Sequence, residues 1–201
     1  MQLLLAGESC PVASQFQSAR ECLPAAPPAR EESKTMPLSA YETERFEHPL
    51  DIVERLASSQ EWAFDRAGDD EISISVEGGW APYNVAFTWL EDLEALHVAC
   101  AFDLKVPERR RAETTELTGL INEQLWVGHF DIWRRENVVM FRHALLLQGG
   151  LEPSRPQCEG LLNAAVQACE RYFQAFQFVA WAGRPARESL DCVMFDTAGE
   201  A

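Results

Sequence analysis

From Pro49 onward, apolar positions recur first with the period of a helix and then with the period of a strand, and the changes of period divide the chain into elements. Leu50, Val53, Leu56 and Ala57 share one helical face as far as Ser59. His48-Pro49-Leu50-Asp51 suits a helix start, since Pro at the first position forfeits no hydrogen bond and Asp meets the positive end of the dipole. Beyond Trp62 the period becomes two. Ile72, Ile74 and Val76 alternate with Ser73 and Ser75, then Tyr83, Val85, Phe87 and Trp89 repeat the pattern, as do Leu96, Val98, Cys100 and Phe102. Gly78-Gly79 and Glu91-Asp92 supply the turns of an antiparallel meander, which Trp62 to Arg66 open as a short edge strand.

Pro107 and Glu108 begin a second helix, with Leu117, Leu120, Ile121 and Leu125 as its apolar face and Gly128 as its stop. Phe130 and Ile132 then alternate with His129, Asp131 and Trp133. A two-residue turn at Glu136-Asn137 returns the chain as a strand over 138–147, setting Phe130 opposite His143 and Asp131 opposite Arg142. After Gly149-Gly150, Ser154 and Gln157 form a capping box for a long third helix. Its inner face is Leu161, Leu162, Ala165, Val166, Cys169, Tyr172, Phe173 and Phe176, and its outer face Asn163, Gln167, Glu170, Arg171 and Gln174. The expected fold is α+β: an antiparallel sheet of about five strands with three helices, in the order α-β-β-β-α-β-β-α, with no βαβ unit to demand parallel pairing.

The flanks lack this regularity. Residues 1–40 hold Pro24, Pro27, Pro28 and Pro37 and no sustained period, and read as a disordered lead; Met36 offers an alternative translation start. The folded domain is expected over 44–183, with a flexible tail over 184–201 after Gly183-Arg184-Pro185. With 201 residues, 47% of them hydrophobic, the chain is long enough to bury one sizeable core.

Charge narrows the choice of partners. Seventeen Lys and Arg against 32 Asp and Glu give a formal charge of −15, which repels phosphate backbones and anionic lipids, so neither nucleic acid nor a membrane surface is an expected partner. A protein segment is, and a basic one suits the field best. Six cysteines without CxxC pairs point to reduced thiols in the cytoplasm. Cys158 and Cys169 lie roughly 16 Å apart along one helix, beyond disulfide reach. Residues 1–7 lack a basic leader region and no stretch has the ~18 apolar residues of a membrane span, so neither export nor anchoring is expected.

Candidate chemistry is sparse. Of His48, His97, His129 and His143, the nearest constellation is His129 with Asp131 and His143, but the expected pairing puts the two imidazoles on opposite faces of the sheet. No catalytic residue, metal ligand or cofactor site is expected, because no phosphate loop, nucleophile elbow, HExxH or EF-hand spacing occurs. Partner contacts are expected instead at Trp80, in its turn, at Trp133, on the polar parity of its strand, and at the basic run Arg109, Arg110 and Arg111.

The stretch over 121–147, INEQLWVGHFDIWRRENVVMFRHALLL, followed by a Gly-Gly break and a long helix ending in aromatics, resembles the YbjN-domain family of bacterial proteins. Asn122, Gly128, the hairpin to Arg142, and Trp89 near its strand end carry the likeness, which runs from about His48 to Gly183. The resemblance implies a fold like that of type III secretion chaperones, a dimeric habit, and a sensory or regulatory role without an assigned active site. The leading expectation is therefore a non-enzymatic, chaperone-like or regulatory protein that binds an unidentified protein partner. A self-associating adaptor homodimer is the alternative, and an enzyme built on His129, Asp131 and His143 the outside case.

Overall fold

The computed structural model describes residues 45–198, without the side chains of Phe102 and 195–198; the disordered lead, the Met36 start, Cys10 and Cys22 all lie outside the described residues. Four helices pack on a six-stranded sheet. Helix α1 (Pro49–Ser59) is followed by strands β1 (Ala63–Arg66), β2 (Glu71–Glu77), β3 (Pro82–Leu90) and β4 (Ala95–Lys105). Helix α2 (Arg111–Asn122) then leads to β5 (His129–Trp133), β6 (Val138–Leu146), α3 (Arg155–Ala180) and α4 (Ala186–Ala198). The sheet order is β1-β2-β3-β4-β6-β5 and every neighbouring pair is antiparallel. The fold class is α+β, as the periodicities require, with β1 as the sixth strand.

The expected caps are present. His48 accepts the Leu50 amide through Nδ1 at 3.3 Å, and Ser154 and Gln157 close the capping box of α3. The core lies between the helices and one face of the sheet, where Val85, Phe87, Val98, Cys100, Phe130 and Phe141 meet Leu161, Cys169, Tyr172, Phe173 and Phe176. Burying side chains of this size stabilises by about 1.5–3 kcal/mol each, which is why α3 sits centrally. The opposite face carries a smaller apolar cluster of Ala86, Ala99, Ala101, Val138 and Met140, against which Trp133 packs half-buried.

Several expectations need correction. The segment expected as a flexible tail holds α4, whose Ala186, Ser189, Leu190 and Val193 are buried. Glu113 accepts the Ala186 amide at 2.6 Å, so a carboxylate from α2 caps this helix at its positive end. Helix α2 stops at Asn122, six residues before Gly128: the next amides, of Gln124 and Leu125, turn back only three residues, to Ile121 and Asn122, and the Asn122 side chain reaches β5. The β5–β6 hairpin pairs Phe130 with Phe141 and Asp131 with Met140, two positions from the expected register, because residues 134–137 all lie in the turn. A shift of two leaves every side chain on its expected face. Glu170 does not face water but tucks under the β2–β3 turn, where a Cβ at Gly78 or Gly79 would come within 2.7 Å or 2.6 Å of its carboxylate. Gly78 is required by close approach, since a Cβ there would also meet the Tyr83 ring and the Ala81 carbonyl, whereas at Gly79 only the mobile carboxylate end of Glu170 stands in the way. Cys100, Cys158, Cys169 and Cys192 are free, and no described helix is long and apolar enough to cross a membrane.

Candidate interaction surface

Strand direction divides the surface into two ends. The near end carries the β3–β4 turn, the start of β5, the finish of β6 and the approach to α1; the far end carries the β2–β3 and β5–β6 turns and the C-terminus of α3. Of the nine large apolar side chains exposed among the described residues, Phe46, Leu93 and Leu151 stand at the near end, Leu146 closes β6 on the helix-free face, and Trp126 and Val127 precede β5. Phe46 is 100% exposed and Trp126 98%. Exposed apolar side chains of this size make the near end a candidate contact surface.

A polar clamp holds the backbone of this patch in place. The Arg45 guanidinium donates from Nε to the Leu151 carbonyl at 3.0 Å and from Nη2 to the Leu147 carbonyl at 2.9 Å, while stacking 4.4 Å above the centroid of Trp89. Glu94, in a left-handed turn at φ 46°, accepts the Gly149 amide at 2.9 Å and that of Gly150 at 3.4 Å, and pairs with Arg45 at 3.4 Å. The Gly149 hydrogen bond, with lesser help from Gly150 and Arg45, holds the Glu94 carboxyl below the usual carboxylate range. Glu152 accepts the amides of Phe46 at 2.9 Å and Glu47 at 3.1 Å, which brings Phe46 beside Leu151. Arg45, Glu47, His48, Trp89, Glu91 and Glu94 enclose a surface pocket of about 350 Å³.

The adjoining sheet edge is closed to further strands. Asn122 donates to the Phe130 carbonyl at 3.0 Å and accepts the Phe130 amide at 2.8 Å, so one carboxamide satisfies both backbone groups a neighbouring strand would use. Asp131 accepts the Ile132 amide at 2.7 Å.

Residues singled out from the sequence are distributed differently. Trp80 is exposed at the far end, and Trp133 lies on the helix-free face. Arg110 donates from Nε to the Val179 carbonyl at 2.9 Å and from Nη2 to that of Arg184 at 2.8 Å, closing the end of α3. Arg111 pairs with Glu108 at 2.6 Å and donates to the Asn137 side chain, while Arg109 is exposed. The basic run is thus not one surface.

His129 and Asp131 share the helix-free face with His97 and Arg142, whereas His143 pairs with Val98 on the core side. Arg142 lies 3.4 Å from His97 Nε2 and 3.5 Å from Asp131. Burial, reinforced by Arg142, His129 and His143, pushes the His97 imidazole down to about 4, so it is neutral at physiological pH. Among the described residues, no three or more His, Cys, Asp or Glu side chains are grouped to hold a metal ion. Sequence reasoning missed Phe46 and Leu151, which fall between periodic segments where the pattern carries no signal, and Trp126, which lay inside the helix expected to run to Gly128.

Comparison with known proteins places these features in context. The profile of a family described as "YbjN: Putative bacterial sensory transduction regulator" matches residues 49–178. Among solved structures, "YbjN, a putative transcription regulator from E. coli" is similar at 7% identity over 60% of this chain and 85% of that one, with a TM-score of 0.45. A chain of the ExsC-ExsE complex is similar at 14% identity over 66% of this chain and 96% of that one, with a TM-score of 0.39. No curated protein matches the chain.

Proposed function

The chain belongs to the YbjN family, and we propose from that footing that it is a non-catalytic regulatory protein of the bacterial cytoplasm that captures a segment of another protein at the near end of its sheet. The observation that carries this reading is the placing of the exposed Phe46, Leu93 and Leu151 around the Arg45–Glu94 clamp. Apolar side chains left in water gain roughly 25 cal/mol per Å² when a partner covers them. A backbone already fixed by the clamp loses little further freedom on binding, so more of that gain survives as affinity. The four free thiols among the described residues suit a reducing compartment.

Size-exclusion chromatography with light scattering, on protein gently purified from its native host, tests the reading when followed by mass spectrometry. A stoichiometric second polypeptide with the wild-type chain, absent with the F46S/L151S double variant, is the expected result. A wild-type chain that travels alone, as monomer or as homodimer, overturns the capture reading; the homodimer would transfer the surface to self-association.

A further inference from the structure

Resting on the capture reading, we infer that the partner segment is basic as well as apolar, with a Lys or Arg set among aliphatic or aromatic side chains. The near end is acidic as well as apolar. Glu47, Glu91, Asp92, Glu94 and Glu152 gather there, against the guanidiniums of Arg45 and Arg55. Arg55 is occupied by Glu47 and Arg45 by Glu94, which leaves the exposed Glu91 and Asp92 beside Leu93 without a cation in those pairs. Carboxylates flanking an apolar rim attract a cation that arrives already attached to apolar neighbours, and the chain's charge of −15 steers such a segment from a distance.

The chain itself shows that this corner accepts such a group. Arg45 reaches it from the chain's own backbone, lays its guanidinium over Trp89, and satisfies its donors on two carbonyls and Glu94. The pocket of about 350 Å³ beside that stack is lined by Arg45, His48 and Trp89 as well as Glu47, Glu91 and Glu94; with Glu94 on Arg45 and Glu47 on Arg55, Glu91 is the wall carboxylate that a second cationic side chain would meet. A second copy of this chain is disfavoured as the occupant, because it would bring the same carboxylates into apposition across an isologous contact.

Calorimetric titration of the full chain with three short synthetic peptides tests this: one combining Arg or Lys with Leu and Phe, one with its cations changed to Glu, and one with its apolar residues changed to Ser. The basic apolar peptide is expected to bind about tenfold or more tightly than either control, and to weaken at high salt. The E91Q/D92N double variant should lose about three- to tenfold of that affinity, as removal of two exposed charges allows. Equal affinity for the basic and acidic peptides, or an affinity unmoved by E91Q/D92N, overturns the inference. The two readings fail separately: a native partner released by F46S/L151S but retained by E91Q/D92N would sink the charge inference and leave the capture reading standing.

Discussion

Both ends of the sheet keep exposed aromatics, Trp80 and Trp181 at the far end and Phe46 at the near end, but at the far end the charged residues close helix and turn ends, whereas at the near end they frame exposed apolar side chains. At the far end, Arg110 closes the last turn of α3, Arg111 is held between Glu108 and Asn137, and Glu170 lies beneath the Gly78-Gly79 turn. At the near end, Arg45 and Glu94 bind backbone, and the apolar side chains they frame stay in water. The difference teaches that most of an arginine run, conspicuous in a sequence, can be consumed by helix ends, while the proposed contact surface is built from residues that no motif marks.

The largest effect should come from the hinge of the near end. Gly128 has φ +69°, and a Cβ there would stand 2.1 Å from Phe141 Cζ and 2.9 Å from the Arg142 carbonyl. G128A is expected to cost about 3–5 kcal/mol, combining left-handed strain with overpacking. Denaturant unfolding checks it, and a loss below about 1 kcal/mol would mean that the Trp126-Val127 segment is not anchored as described.

Next come substitutions that separate inward ties from free charge. R110A removes two charge-assisted hydrogen bonds at the far end and should cost about 2 kcal/mol, while its neighbour R109A should fall within about 0.5 kcal/mol of wild type. Equal effects at the two positions would erase the contrast between the ends. N122A leaves the buried Phe130 amide and carbonyl without their side-chain partner and should cost about 1–3 kcal/mol. It should also raise aggregation on storage, followed by light scattering, because the β5 edge then offers its ladder.

These tests also show what was legible in the sequence. Strands β2 to β6 and the first three helices could be read because each buries one face, and burial writes a period of two or 3.6 into the chain. Helix α4 was lost because Gly183-Arg184-Pro185 looked like a terminus, although Ala186, Leu190 and Val193 already stood at helical spacing. Trp126 was hidden by a helix expected to run to Gly128; that Asn122 instead meets a strand eight residues on is a contact no local pattern encodes. Phe46 and Leu151 were illegible for a related reason, since they are 105 residues apart and are brought together only through Glu152 and Arg45.

The helix-free face offers a smaller, pH-dependent effect. His97 is neutral in the fold down to pH of about 4, whereas the unfolded chain takes up the proton near 6.5. Between those values the unfolded state binds more protons, so stability falls as pH drops through the window, by at most about 1.4 kcal/mol per unit. H97Q should flatten the slope between pH 6.5 and 5 without altering stability above pH 7.5. Carboxylates such as Glu94 titrate in the same direction but lower, which is why the upper part of the window is the one to measure. An unchanged slope would mean that the imidazole is solvated.

The smallest effect on stability carries the sharpest test of the comparison. Phe46 makes its fold contact through its backbone amide, and its ring is fully exposed; Leu151 likewise contributes its carbonyl to Arg45 while its side chain faces out. F46S/L151S should therefore leave the unfolding midpoint within about 0.5 kcal/mol of wild type, because the clamp bonds survive and little buried area is lost. The same pair should weaken partner binding at least about tenfold, since side chains at the centre of a contact carry most of its energy. Stability and binding thus separate at the near end, whereas at the far end R110A should lower stability and leave binding alone. Should the double variant unfold as readily as R110A, those rings would be packed on something in the folded chain, and the near end would be one more inward tie.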